Sequence, residues 1–168
     1  MMRWYVVQTQ SRAEERALWH LENQGFHCFL PRLRRLTKHA RRSKAVLEPL
    51  FPRYLFAQLD LNAAAWRSIN GTRGVVSLLA NGPTPVPVPD GLVERLLADS
   101  DEAGVTPLSA LGVFWRGRRV RISSGVFRDQ FAEVEAVLAK GRDRVSVLLN
   151  LLGSPARLQL PSYAVQAV

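Results

Sequence analysis

The chain has 168 residues, enough for one medium domain or two small ones, and 47% of them are hydrophobic, which excludes an intrinsically disordered protein. No apolar run reaches the ~20 residues of a membrane span, and the apolar part of the N-terminus is too short for a secretory signal. The single cysteine, Cys28, excludes an internal disulfide framework. A formal net charge of +9 points to a polyanionic partner, and these features together predict a cytoplasmic protein.

The first hundred residues alternate strands with helices. Residues 4–9 are aromatic and β-branched and predict a strand, while Ser11 and Glu14 have the spacing of a capping box for a helix that ends near Gly25. Further strands are expected over 26–34, 46–50, 54–60 and 74–79, a basic hairpin tip over 37–44, and helices over 62–69 and 90–98 with Asn62 and Asp90 as caps. This order predicts an α+β fold with helices packed on a mostly antiparallel sheet.

The remainder of the chain has a different rhythm. Residues 99–113 are small, acidic or turn-forming and are interpreted as a linker. Short β segments separated by glycine and proline follow over 118–123, 131–138, 144–149 and 156–160. Such a series predicts a small β-barrel, so we divide the chain into a domain of residues 1–98, a linker of 99–113 and a domain of 114–168.

Positive charge is concentrated in two places. From Arg32 to Arg53 there are eight arginines and lysines against Glu48 alone. A second basic group opens the C-terminal segment and comprises Arg116, Arg118, Arg119 and Arg121. The alternative is a solvated surface that happens to be rich in arginine, but a run this one-sided favours contact with nucleic acid.

Aromatic side chains crowd at the start of one predicted strand. Two prolines, Pro49 and Pro52, remove backbone donors, so that a central strand cannot begin before Arg53. The neighbouring Phe51 and Tyr54 therefore form either an edge of the core or a docking pocket.

Several spaced segments resemble the NusG-type transcription elongation factors. They are Trp4-Tyr5-Val6-Val7, Phe51-Pro52-x-Tyr54, Gly74-Val75 and a C-terminal Gly-x-x-Val-x-Ile…Gly-x-Phe pattern. Within that family the chain is more similar to the RfaH-type antiterminators, on residues 48–52, 69–75 and 148–152, and Arg73 stands where general NusG proteins usually carry proline. The resemblance implies an N-terminal NGN-type α/β sandwich that binds RNA polymerase and a C-terminal KOW β-barrel that binds a second protein.

The resemblance implies that a hydrophobic depression on the first domain grips the clamp helices of the largest polymerase subunit. The matching residues are Phe51, Pro52, Tyr54 and Phe56. Because successive strand residues face opposite sides, we expect Phe51 and Tyr54 at the surface and Leu55 in the interior, with Phe56 on the same side as Tyr54. The contact with the polymerase gate loop would fall on residues 65–68, although Trp66 could instead pack into the core.

RfaH-type factors also contact the non-template DNA strand. The matching positions are Arg16, His20, Gln24, Asn70 and Arg73. Arg16 and His20 are four residues apart on one predicted helix and so share a face, although His20 could equally be a half-exposed helix residue without a task. Residues 10–12 replace a more basic pair, so a DNA sequence preference does not carry over. The hairpin-tip residues Arg41, Arg42 and Lys44 would lie toward the upstream duplex and bind it without reading sequence.

The C-terminal domain raises two expectations. In RfaH this segment can fold as a helical hairpin that masks the clamp-binding surface, held in part by a Glu–Arg bridge whose matches here are Glu48 and Arg144. Residues 144–149 alternate at a period of two, so the barrel is favoured and fold switching stays a hypothesis. In the barrel form, the residues expected to bind the ribosomal protein NusE, or the termination factor Rho, are Phe127, Leu148, Asn150 and Leu151.

An enzyme is disfavoured, because His20, His27, His39 and Cys28 form no catalytic or metal-binding motif and no glycine-rich phosphate loop is present. No cofactor or metal is expected. The chain is therefore interpreted as a monomeric transcription elongation and antitermination factor that suppresses pausing or termination and couples transcription to translation. The alternatives are a general NusG-like factor that also acts with Rho, and a basic KOW-containing RNA-binding protein.

Overall fold

The computed structural model describes residues 1–107, 112, 114–138 and 143–168, except for the side chains of residues 38 and 39. The elements in chain order are β1 Arg3–Thr9, α1 Glu14–Asn23, β2 His27–Phe29, β3 Arg32–His39, β4 Arg42–Pro49, β5 Tyr54–Leu59, a 3-10 helix Ala64–Gly71, β6 Val75–Leu78, β7 Ala80–Asn81, β8 Thr84–Pro85, α2 Leu92–Asp99, β9 Arg119–Ile122, β10 Phe131–Val137, β11 Arg144–Leu151, β12 Ser154–Pro161, a 3-10 turn Ser162–Ala164 and β13 Val165–Ala167. They form two compact units, residues 1–32 with 48–105 and residues 33–47 with 106–168.

The first unit is built on a four-stranded sheet in the order β2-β5-β1-β6, in which every pair is antiparallel. Alternate residues of β1 and β5 face opposite sides, because side chains in a strand have a period of two. On one side, Val7, Leu55 and Ala57 pack with Ala17 and Leu21 of α1. On the other side lies a smaller cluster that consists of Trp4, Phe29, Phe56, Val88 and Val93. The sheet therefore has a helix on each face, and the predicted α+β sandwich is confirmed.

Three predicted helix caps are wrong. The first helix begins at Glu14 with Ala13 as its N-cap, and no side chain caps it. The second α-helix has Gly91 as its N-cap, and the Asp90 carboxylate accepts a hydrogen bond from Arg3 instead of capping the helix. The segment predicted as a helix over 62–69 is a 3-10 helix that begins after Ala63. In the first two cases an acidic side chain near a helix start binds a donor brought by the tertiary structure rather than the helix backbone.

The strand predicted over residues 26–34 is divided. Because Pro31 cannot donate a ladder hydrogen bond, β2 ends at Phe29 and β3 begins at Arg32. The predicted linker of 99–113 is held to the first unit as far as Val105: Asp101 Oδ1 accepts from Val105 N at 2.9 Å, and Gly104 O accepts from Arg32 N at 2.9 Å. Thr106 and Pro107 belong to the second unit, and residues 108–111 and 113 of the linker lie outside the described residues.

The second unit contains residues 33–47, which are most of the β3–β4 hairpin, and a five-stranded antiparallel sheet in the order β12-β11-β10-β9-β13. Its core consists of the inward-facing residues of the strands, which include Val120, Ile122, Val134, Val147 and Leu149. Four of the strands match the predicted ones, whereas β13 was not predicted. The described part of residues 114–168 is thus β structure with one 3-10 turn, which is the barrel-type fold expected from the sequence. Among the described residues, no helix has the length and apolar content needed to cross a membrane.

Candidate functional site

An apolar groove opens on the face of the first sheet opposite α1. Its volume is about 490 Å³. Only apolar side chains and the ring of Tyr54 line it, and they are Val6, Phe51, Tyr54, Phe56, Leu79, Val86, Pro87, Val88, Pro89 and Leu92. The groove exists because α2 buries Val93 against this face and leaves the neighbouring strand residues uncovered. Its shape and lining suit an apolar partner surface rather than a charged ligand.

Three aromatic residues of the predicted binding set take different positions in the groove. Phe56 is only 6% exposed and forms the floor, stacked on Phe29 with ring centroids 6.4 Å apart. Phe51 is 40% exposed and meets Phe56 edge to face at 6.1 Å, and Tyr54 is 38% exposed. Leu55 is fully buried on the opposite side of the sheet, as expected. Phe51 and Tyr54 are therefore the aromatic rings that a partner could desolvate.

Pro52, the fourth residue of that set, is exposed and does not line the groove. It lies in the tight turn that joins Phe51 to Tyr54, where Tyr54 N donates to Phe51 O at 3.0 Å. Arg53 has a φ of 70°, so the turn has proline at its second position and a positive φ at its third, the arrangement of a type II turn. The Arg53 backbone N–H donates to Oε1 of the buried Glu14 at 2.9 Å.

The far wall of the groove is an extended segment, residues 86–89, whose role the sequence analysis did not recognise. Val88 N donates to Trp4 O at 2.8 Å, which holds the segment beside β1. The prolines that alternate with Val86 and Val88 have no N–H, so the segment stays extended without needing a second strand beside it. The alternation of valine and proline over residues 85–89 is the sequence signal for this extended wall.

Comparison with known proteins places this architecture in a family. A family model described as "Transcription termination factor nusG" matches residues 2–97. This chain belongs to the NusG family. The NusG family proteins of Thermus thermophilus and Chlamydia trachomatis, both called transcription termination/antitermination protein NusG, are 28% and 29% identical to it, and each alignment covers 94% of this chain and 94% and 90% of the relative. A solved structure of Thermotoga maritima NusG covers 100% of this chain and 98% of its own, at 22% identity and a TM-score of 0.45.

In this NusG-family chain, the residues predicted to contact DNA on and just after α1 differ in their exposure and in their hydrogen bonds. Arg16 is exposed and donates to Gln10 Oε1 at 3.1 Å, and His20 is half-buried with its ring edge-on to Trp19 at 4.7 Å. Gln24 is exposed just beyond the end of α1, and its side chain is hydrogen-bonded: Nε2 donates to Thr72 Oγ1 at 2.8 Å, and Oε1 accepts from Ser68 Oγ at 2.7 Å. Gln24 thus ties the end of α1 to the 3-10 helix region.

The other predicted DNA contacts of the first unit also divide. Asn70 Oδ1 accepts from Leu78 N at 2.8 Å and helps to hold β6. Arg73 is exposed, and among the described residues its side chain has no hydrogen-bond partner. Trp66, in the predicted gate-loop segment, packs against the core and donates from Nε1 to Leu61 O at 3.1 Å, so its alternative interpretation as a core residue is confirmed.

The hairpin-tip residues Arg41, Arg42 and Lys44 are exposed on the second unit. The turn has two central residues, Ala40 and Arg41, with φ of 47° and 66°. Positive φ at both positions is typical of the type I′ turn, which usually contains Asn-Gly. The turn keeps the three cationic side chains at the end of a two-stranded ribbon.

The predicted partner site of the second unit lies around the end of β11. Phe127 and Leu148 are half-buried, Leu151 is exposed, and the neighbouring Leu152 is completely exposed. Asn150 Oδ1 accepts from Gly153 N at 3.0 Å, so the Asn150 side chain holds the β11–β12 turn.

The two residues of the predicted interdomain pair belong to different units. Glu48 is half-buried near the end of β4 in the first unit. Arg144 begins β11 in the second unit and donates to Gln159 O at 2.6 Å. Their pairing stays a prediction.

Charge is divided unequally between the units. The first contains eight arginines and lysines against ten acidic residues, a formal net charge of −2. The second contains fifteen against four, a formal net charge of +11. Two of its arginines stack on exposed rings, Arg118 on Trp115 at 4.1 Å and Arg119 on Phe131 at 4.5 Å. The excess positive charge of the chain therefore belongs to the second unit alone.

Cys28 does not have the properties of a reactive thiol. Burial, reinforced by the nearby Glu22 carboxylate, raises the pKa of Cys28 to about 12. The thiolate, which is the nucleophilic form, is therefore scarce at neutral pH. Within the described ranges, no three His, Cys, Asp or Glu side chains are grouped so as to hold a metal ion.

Proposed function

We propose that the apolar groove of the first unit binds the clamp helices of RNA polymerase, and that the protein thereby acts, without catalysis, as an elongation and antitermination factor in the cytoplasm. The observation that carries the proposal is the exposure of Phe51 and Tyr54 at the rim of an apolar groove in a NusG-family chain. A helix pair that lays its apolar face into such a groove gains most free energy where aromatic anchors become desolvated.

The mechanism is a shift of population. A factor that binds the closed, processive form of the polymerase more tightly than the open, paused form shifts the population toward the closed form. At saturation, the ratio of closed to open polymerase rises by the ratio of the two affinities. Suppression of pausing and of termination follows from this difference, and it requires no chemistry by the factor.

A pull-down of core polymerase tests the proposal. Wild-type protein should retain polymerase, and Phe51→Ala/Tyr54→Ala should lose it. Trp19→Ala/Val76→Ala is the matched control, because it removes exposed apolar side chains of the same unit that do not line the groove. Failure of the wild-type protein to bind, or an equal loss in the control, would overturn the proposal.

We further propose that exposed cations contact DNA in the polymerase complex. Arg16, His20, Gln24, Asn70 and Arg73 would approach the non-template strand. Gln24 and Asn70 are exposed, and their hydrogen bonds to Thr72 and Leu78 hold them on that surface. Arg41, Arg42 and Lys44 would bind the upstream duplex through its phosphates. Crosslinking of a reconstituted elongation complex from each position would test these assignments.

For the second unit, the proposed partner is the ribosomal protein NusE or the factor Rho, bound through Phe127, Leu148, Asn150 and Leu151. The exposed Leu151 and Leu152 support a protein contact at this end. Binding of purified NusE and of Rho to the wild-type protein and to Leu151→Ala/Leu152→Ala would distinguish the two partners. We keep an RfaH-type specialisation as a hypothesis. In it, the C-terminal domain would mask the clamp-binding surface, and Glu48 would pair with Arg144.

An RNA-binding protein is the second candidate function, and the net charge of +11 on the second unit favours it. The pull-down separates the two candidates. Truncation of the aromatic groove residues should leave affinity for bulk RNA unchanged, because that affinity depends on the charge of the other unit.

A further inference from the structure

The turn that carries the two exposed rings contains a residue in an unfavourable conformation. Arg53 is not glycine, yet its φ of 70° lies in the left-handed region, which residues with a Cβ rarely occupy. Non-glycine residues stay in this region only where the surrounding structure holds them there. The question is what holds Arg53, and why the turn needs it.

Two elements hold the Arg53 backbone at once. Its N–H donates to Glu14 Oε1 of α1 at 2.9 Å, and its carbonyl accepts from Thr9 N at the end of β1 at 2.8 Å. The Arg53 side chain adds a longer bond from Nε to Thr9 O, at 3.3 Å. Both backbone polar groups of the left-handed residue are thus engaged by neighbours distant in sequence.

Glu14 is unusual in its own right. A carboxylate that is only 7% exposed is costly unless hydrogen bonds compensate its lost hydration. It lies in the first turn of α1, where the helix dipole favours negative charge, and it caps no helix N–H. Among the described residues, the Glu14 carboxylate accepts its hydrogen bond from Arg53 N, so the side chain holds the turn rather than the helix start.

The turn decides where Phe51 and Tyr54 point. The two residues are its first and last positions, joined by the hydrogen bond from Tyr54 N to Phe51 O at 3.0 Å. In this arrangement both rings line the groove, and Phe51 rests edge-on against Phe56. A turn with Arg53 at negative φ would redirect the chain before Tyr54 and separate the rings.

We infer that Glu14 and the Arg53 backbone are positioning groups that pre-organise Phe51 and Tyr54 for their partner, an inference that rests on the proposed function of the groove. A side chain already fixed in its bound orientation loses less conformational entropy on association. The Arg53 side chain itself is secondary, because the N–H and the left-handed backbone do the positioning.

Four variants separate this role from a general effect on folding. Glu14→Ala removes the acceptor and should weaken polymerase binding about tenfold, since a buried N–H loses its partner and the turn loses its fixed form. Glu14→Gln retains an acceptor oxygen and should bind close to wild type. Arg53→Gly keeps the N–H, adopts positive φ readily and should also bind close to wild type. Adding Arg53→Gly to Glu14→Ala should recover part of the lost affinity.

Hydrogen exchange supplies the local readout. In Glu14→Ala the amide of Tyr54 should exchange about tenfold faster, while the amides of Val7 and Ala57 in the sheet stay protected. Equal acceleration at all three amides would show that Glu14 supports the whole unit and would overturn the inference. Wild-type affinity in Glu14→Ala, with the Tyr54 amide accelerated, would overturn it too.

A polymerase-independent probe distinguishes failure of this inference from failure of the proposed function. Anilinonaphthalene sulfonate binds apolar clefts, and Phe51→Ala/Tyr54→Ala identifies the fluorescence that arises from this groove. If wild type does not bind polymerase, a loss of that fluorescence in Glu14→Ala and its retention in Glu14→Gln would still support the positioning role. Unchanged fluorescence in Glu14→Ala would refute it.

Discussion

The first unit has a formal net charge of −2 and an apolar groove, whereas the second has a formal net charge of +11 and exposed arginines at the hairpin tip and on β9. Apolar burial depends weakly on salt, while binding through phosphate contacts releases counterions and falls steeply as salt rises. One basic chain therefore contains two surfaces of different character, an apolar groove and a cationic unit. The overall charge of +9 describes neither unit.

The largest expected effect is the loss of polymerase binding when the apolar groove of the first unit is altered. Phe51→Ala/Tyr54→Ala should weaken polymerase binding by about 3–4 kcal/mol, because two anchors lose the area that the partner desolvates. The measurement is competition binding at low and high salt. A loss that disappears at high salt would mean that the groove acts through charge, contrary to its lining.

The next effect concerns the stability of the first unit alone. A Cβ on Gly74 would lie 3.1 Å from Ala17 N and 3.2 Å from Ala13 O, and Gly74 has a φ of 86°. Gly74→Ala should therefore destabilise this unit by about 2–3 kcal/mol, since the backbone of α1 cannot retreat without losing its packing on the sheet.

Gly71→Ala is the matched control, because a Cβ there meets nothing within 4 Å. Thermal unfolding followed by hydrogen exchange would assign each change to a unit. Destabilisation of the second unit by Gly74→Ala would contradict the expectation that the two units unfold independently.

The charged half of the comparison predicts a change in salt dependence. Arg41→Ala/Arg42→Ala/Lys44→Ala should reduce the slope of log affinity for duplex DNA against log salt by about 2 to 3, because each phosphate contact contributes ~0.9. Fluorescence anisotropy over a salt series measures the slope. Arg67→Ala/Arg95→Ala, in the first unit, should leave the slope unchanged. An equal reduction of the slope in that variant would contradict the assignment of DNA binding to the second unit.

The smallest expected effect is an acid dependence confined to the second unit. The Ser146 hydroxyl, which donates to Glu135 at 2.9 Å, and the Arg157 guanidinium lower the pKa of Glu135 below its ordinary value. A lowered pKa contributes stability that is present above the ordinary value and is lost as pH falls through the lowered one. Glu135→Gln should therefore be less stable than wild type near neutral pH, and the difference should shrink below pH ~4.

Thermal unfolding of the second unit across that pH range is the measurement. A difference for Glu135→Gln that persists unchanged in acid would show that the hydrogen bonds, rather than the ionised carboxylate, matter.

Local pattern was enough to predict the strands that alternate, because strand burial follows a period of two. Alternation predicted β9 and β11 and the opposition of Leu55 to Tyr54, whereas β1 and β5 were predicted from their aromatic and β-branched composition. Local pattern failed at helix starts, since the same acidic residue can cap a helix or bind a distant donor. Glu14 binds Arg53 and Asp90 binds Arg3, partners 39 and 87 residues away along the chain.

Local sequence features were sufficient to indicate the family, the α+β class, the concentration of positive charge and the aromatic residues at 51, 54 and 56. Only the tertiary structure decided that Phe56 is the floor of a groove, that residues 86–89 form its wall, and that Gln24 and Asn70 are engaged in internal hydrogen bonds. The physical reason is that composition and periodicity are local properties of a chain. A groove and a buried hydrogen bond depend instead on which distant segments the fold brings into contact.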